Sequence, residues 1–179
     1  MAICTLNKDL LKSNTCGYSL PTVTDIYLAN YQDVSATTIS AGTGADAGCE
    51  EITNISLTGS SKFYHIEPAK DSVTFTDELV VGDSGNKYRT QSLTFTVNGT
   101  YDNCMHGALD ALSLGKFFGV VKTAEGSYLG LGRVTGLEAE SASLNGGSDN
   151  NGMIITLSAN TTESALPLSD AAVAVVLGN

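Results

Sequence analysis

The chain has 179 residues, with 9 Lys and Arg against 19 Asp and Glu and a formal net charge of −10. That length suits one domain with a sizeable core, and the acid excess argues against tight nucleic-acid binding, which needs a basic patch to release counterions. The longest apolar run, residues 171–177, falls far short of the roughly 20 residues of a membrane-spanning helix, so no membrane insertion is expected.

The opening Met-Ala-Ile-Cys-Thr-Leu-Asn-Lys-Asp carries no apolar signal-peptide core, which predicts synthesis and folding in the cytoplasm. Cys4, Cys16, Cys49 and Cys104 lack the paired spacing of a metal site and are expected as four free thiols. Residues 1–21 read as an irregular arm with at most one helical turn, suited to an assembly contact.

A strand is expected over residues 23–31, with Ile26 and Leu28 on one phase and Tyr27, Ala29 and Tyr31 on the other. Both phases can be buried only if one meets an aromatic cluster. Residues 41–51 form a Gly-rich loop and a further candidate contact between subunits. Residues 52–57 and 63–66 read as a hairpin across Thr58-Gly59-Ser60-Ser61. Residues 72–81 alternate, with Val73, Phe75, Leu79 and Val81 on one face, and a turn over 82–86 returns the chain through 87–97.

The pattern then changes period. Asp102 or Asn103 can cap a helix whose apolar stripe is Met105, Ala108, Leu109 and Leu112, and Gly115 is placed for a left-handed C-terminal cap. Phe117-Phe118-Gly119-Val120-Val121 is apolar on both faces, as a central strand covered on each side would be. A turn at Ala124-Glu125-Gly126-Ser127 leads into a return strand over 128–134, where Gly130 and Gly132 would admit a close neighbour. A third strand over 137–144 and a turn-former loop over 145–152 precede residues 153–160, where Met153, Ile155, Leu157 and Ala159 alternate with polar partners. Residues 168–177 read as a final strand or an arm reaching out.

Strand groups on either side of one helix predict a mainly β fold, a β-sandwich or half-open β-barrel with one flanking α-helix. The chain is read as a single domain, with 1–21 and 168–179 as assembly contacts. Loose strand edges invite aggregation in a monomer, and pairing them with neighbouring subunits removes the hazard.

No chemistry-bearing motif keeps its context. Gly82-Asp83-Ser84-Gly85 matches the surroundings of a serine-protease nucleophile, but His65 and His106, the only histidines, lack the matching local sequence. A hairpin turn is the better reading. Ser113 and Lys116 have serine–lysine spacing, but Ser113 ends a helix where that chemistry needs it at the start. Cys104-Met105-His106 offers two metal ligands without a second pair. Gly42-Thr43-Gly44 and Gly130-Leu131-Gly132 lack the dinucleotide fingerprint, and Ser148-Asp149-Asn150-Asn151-Gly152 lacks the distal Glu of a calcium loop. No catalytic, metal or cofactor site is expected, so the chain is read as no enzyme.

The run Gly126-Ser-Tyr-Leu-Gly-Leu-Gly, then Gly136-Leu, Ser143-Leu-Asn-Gly-Gly, Asp149-Asn-Asn-Gly, Met153-Ile-Ile-Thr-Leu, Glu163 and Pro167 resembles the C-terminal half of tail tube subunits from bacteriophages of gut Bacteroidetes. The chain departs from that pattern where Asn160-Thr161-Thr162 separates the last strand from Glu163. The resemblance implies hexameric rings stacked into a tube, with sheets lining a channel for the genome. It implies partners that are further copies of the chain and other tail or virion proteins, DNA only in transit, and a place in the virion tail. Asp77, Glu78, Glu138 and Glu140 interrupt or flank apolar strand faces and are the candidates for facing the channel, where acidic groups would keep phosphate from sticking. An ordinary solvated face is the alternative for each. Other readings are a different β-sandwich virion component, a secretion-tube subunit, or a carbohydrate-binding module. The last needs exposed aromatics; the chain has no Trp, and Tyr27, Tyr31 and Tyr128 would substitute only in part.

Overall fold

The computed structural model of the protein describes residues 23–41, 49–98, 103–146 and 151–178. The 1–21 arm, most of the 41–51 loop and much of the 145–152 loop lie outside them. Strands β1 (Val23–Asn30), β2 (Val34–Ala41), β3 (Glu50–Leu57), β4 (Tyr64–Ile66), β5 (Thr74–Val81) and β6 (Lys87–Val97) precede helix α1 (Asn103–Leu114). Strands β7 (Lys116–Thr123), β8 (Tyr128–Leu131), β9 (Leu137–Gly146), β10 (Asn151–Thr161) and β11 (Leu166–Pro167) lead to helix α2 (Asp170–Leu177). The expected mainly β architecture is the one adopted, built on a large antiparallel sheet.

That sheet has two halves. One runs β4-β1-β7-β8-β11 and the other β9-β10-β6-β5. They join where Lys116 and Phe117 of β7 pair with Glu138 and Leu137 of β9. Strands β2 and β3 form a separate pair.

Side-chain alternation explains the layering, because successive residues of a strand point to opposite faces. Phe117 and Val121 of β7 join Ile26 and Leu28 of β1 in a core shared with Leu93 and Phe95 of β6 and Ile155 and Leu157 of β10. Phe118 and Val120 point the other way, into a second core with Tyr27, Ala29, Ile52, Ile55, Phe63, Ala172 and Val176. The expected central strand is therefore covered on both faces. The aromatic cluster required by Tyr27 is present too: its ring lies near Tyr128, and Phe63 meets Phe118 edge-on with centroids 5.9 Å apart.

Several expectations are corrected. Residues 52–57 and 63–66 do not pair with each other; β3 pairs with β2, and β4 pairs with β1. Within residues 168–177, Asp170–Leu177 form neither strand nor arm but a second helix, capped by Ser169 and ended by Gly178 at φ 74°, while Leu168 makes a single parallel bridge to Ile52. Its Ala172 and Val176 are buried in the second core. In α1, Leu109 and Leu112 pack on the first core as expected, but Ala108 is exposed. Gly115 is not a left-handed cap: a Cβ there would lie 2.3 Å from Cζ of Phe117, so the glycine makes room for that ring. The return strand stops at Leu131, and Gly132 sits in the following turn at φ 70°. Gly130 does admit a close neighbour, since a Cβ there would lie 2.8 Å from Cδ1 of Ile52.

Candidate functional site

Strand β6 buries Gln91, Leu93, Phe95 and Val97 and turns Thr90, Ser92, Thr94 and Thr96 outward. Its neighbours are in register, so these outward residues extend into rows. Thr74, Thr94, Thr156 and Ser141 form one row, and Thr76, Ser92, Ser158 and Glu138 the next. Glu78, Thr90 and Asn160 make a third. Hydrogen bonds run along them: Thr94 Oγ1 and Thr156 Oγ1 are 3.1 Å apart, and Thr90 Oγ1 donates to Asn160 Oδ1 at 2.9 Å. Val80, Tyr88 and Ile154 lie at the margins.

No Lys or Arg of these strands, among the described residues, shares this outward phase; Lys87 and Arg89 of β6 lie on the other. The result is a half-buried to exposed wall of hydroxyls and carboxylates. Its carboxylates are three of the four predicted ones. Glu78 lies in the third row, Glu138 in the second, and Glu140 is the extra residue of the β9 bulge, exposed beside Ser141. Lys116 reaches the rim, where its Nζ is 2.8 Å from Glu138 Oε1. A depression of about 320 Å³ there is lined by Lys116, Glu138, Glu140, Ser158 and Asn160.

Asp77 is placed differently. It lies on the core-facing phase between Phe75 and Leu79, with 13% of its side chain exposed. Its carboxylate accepts from Arg89 Nε at 2.7 Å and from the Ala165 amide at 2.7 Å. The hydrogen bond from Arg89 to Asp77 raises the guanidinium pKa above its usual value. The adjacent Gln91, almost fully buried, donates to Glu163 O at 3.1 Å and accepts from the Gly132 amide at 2.8 Å. Arg133 grips both oxygens of Glu163 and donates to Thr37 Oγ1 at 2.9 Å. This network clips β2, β5, β6 and the 132–136 turn to the segment after β10. Sequence reading missed it, although Gln91 on the apolar phase of β6 was a visible signal.

A second cluster lies on the other half. Asp25 Oδ1 is 2.9 Å from His65 Nε2, and Asp25 Oδ2 is 3.5 Å from Lys122 Nζ. The His65 ring stacks on Tyr27 with centroids 4.8 Å apart. Burial works against the charge of Asp25, but hydrogen bonds from His65 and Thr24 and the charge of Lys122 outweigh it, lowering its pKa. Lys122 is in turn raised by Tyr128 and Asp25.

Among the described residues, none of the suspected catalytic groups come together. Ser84 occupies the β5–β6 turn, closed by Gly85 at φ 79°, while His65 engages Asp25 on β1. Ser113 Oγ donates to Leu109 O, and Lys116 turns to Glu138. Among the described residues no three His, Cys, Asp or Glu side chains converge as metal ligands, and no helix is long and apolar enough to cross a membrane. Tyr27 is buried and Tyr31 and Tyr128 are half-buried, so these three make no exposed platform for a sugar. Comparison with family models, curated proteins and solved structures finds no match to this chain.

Proposed function

We propose that the protein is a structural virion subunit of the tail tube kind, which assembles with further copies of itself into stacked rings, six to a ring, around a channel for genome passage. In this reading it is not an enzyme and holds no cofactor. Its partners are its own copies and other tail or virion proteins, and its place is the virion tail.

The observation that carries the reading is the outward wall of β9-β10-β6-β5, rich in hydroxyls, with carboxylates and no cation of its own. The strong, counterion-releasing contacts to a nucleic-acid backbone are made by Lys and Arg, and the described wall offers phosphate only neutral hydroxyl and amide donors, with Lys116 at the rim already paired to Glu138. Glu78 and Glu140 add repulsion, which favours passage over adsorption, while Glu138 is paired with Lys116. Asp77 is engaged inside the subunit and drops out of the channel wall. The sequence resemblance supports the same reading.

Particle mass measured at rising protein concentration, with negative-stain images of the same samples, tests it. Rings or tubes with a stain-filled centre are expected. A strict monomer at high concentration overturns it.

A further inference from the structure

The two halves of the sheet end differently. In the β4-β1-β7-β8-β11 half the outer strands are three residues (β4) and two residues (β11, containing Pro167). Short edges and proline are how proteins block unwanted strand pairing. In the other half the outer strands are β5, with eight residues, and β9, with ten. Neither contains Pro or Lys. Among the described residues β5 pairs only with β6, and β9 beyond Glu138 pairs only with β10.

Both edges, β9 with α1 packed beside it but without a further strand partner, also carry exposed apolar side chains on the same side. Leu79 and Val81 share the core-facing phase of Phe75, but the hairpin runs past the core and leaves them 57% and 58% exposed. On β9, Leu144 and Ala142 share the core-facing phase opposite Met153 and Ile155, with Leu144 58% exposed and Ala142 also exposed. Every neighbouring pair within this half is antiparallel, so β5 and β9 run in opposite directions. An edge-to-edge joint between copies therefore continues the antiparallel ladder.

We infer that β5 of one copy pairs antiparallel with β9 of a second copy, in the register that sets Leu79 opposite Leu144 and Val81 opposite Ala142. This rests on the ring-forming reading above and names its joint. The register buries all four side chains between copies. It also sets Glu78 opposite Asn145 and Val80 opposite Ser143, so the outward wall continues unbroken from copy to copy. A slip by one residue would put the apolar side chains of one edge on the wrong face, which makes the parity of the register strict.

Full-length Leu79→Cys and Leu144→Cys chains, each with the four native cysteines replaced by Ser, are mixed, allowed to assemble and mildly oxidised, with the cysteine-free chain and each single variant as baselines. A disulfide-linked dimer found in the mixture and absent from the baselines is expected. A dimer from Leu79→Cys alone, or no dimer from particles that still assemble, overturns the joint and leaves the tube reading standing. A wild type that never assembles overturns both. Leu79→Lys/Val81→Lys places charge at exposed positions, so its circular dichroism should match wild type while rings and tubes are lost. Rings retained in that folded variant overturn the joint.

Discussion

In the β4-β1-β7-β8-β11 half both faces are covered, by the first core on one side and by β2, β3 and α2 on the other, and the outer strands are short. In the β9-β10-β6-β5 half only one face is covered, the other is a hydroxyl and carboxylate wall, and the outer strands are long and open. The same rule of alternation produces both. Where both phases are apolar, as in Phe117 to Val121, the strand becomes a core wall on each side. Where one phase is Thr and Ser, the strand stabilises the fold with half its side chains and leaves the rest for function. Both halves hold the subunit together through the first core, and only the second keeps one face uncovered.

This division predicts unequal mutational costs. Phe118→Ala, at a fully buried position of the first half, should cost about 3–5 kcal/mol in urea denaturation. Thr94→Ala on the wall should stay within about 0.5–1 kcal/mol, the scale of one cross-strand pair. Equal losses would break the division.

Gln91→Leu comes next. It keeps the volume but strips the Gly132 amide and the Glu163 carbonyl of their partner. A loss of about 1–3 kcal/mol is expected, the usual cost of leaving buried polar groups unsatisfied. Ser169→Ala removes the acceptor for the Ala172 amide at the start of α2 and should cost about 1 kcal/mol. A thermal melt compared with wild type checks it.

The smallest effect is pH dependence at Asp25. Its folded pKa lies below the ordinary carboxylate value, so the folded state favours the carboxylate more than the unfolded chain does. The contribution is thus complete above the unfolded pKa and is lost as pH falls through the lower folded one. Asp25→Asn should flatten the acid limb of the stability profile. A steepened acid limb would contradict the assignment.

Much of the architecture was legible because it is local. Met153 to Asn160, Lys87 to Val97 and the two-faced apolar run at Phe117 announce their strands by period alone. The errors have identifiable causes. Three Val and three Ala in residues 171–177 give no helical stripe, and β-branched Val suggests a strand; the better signals were Ser169 before the run and Gly178 after it. The supposed hairpin of residues 52–57 with 63–66 follows sequence adjacency, but β3 finds β2, whose alternation is broken by register shifts between Val34 and Ala36 and between Thr38 and Ile39, and Phe63 is buried in the second core. The wall was half legible. Its residues could be read as the polar phase of each strand, yet the rows exist only through the register of four strands, much of it non-local. Asp77 shows the same limit: its phase with Phe75 and Leu79 pointed inward, and only the fold supplies the Arg89 and Ala165 partners.

A reconstruction of the assembled particle at a resolution that orients the subunit tests the central claim most directly. The account predicts the Thr74-Thr94-Thr156-Ser141 row on the channel wall, with Glu78, Glu138 and Glu140 beside it. The same row on the outer surface, or a filament with no channel, would contradict it.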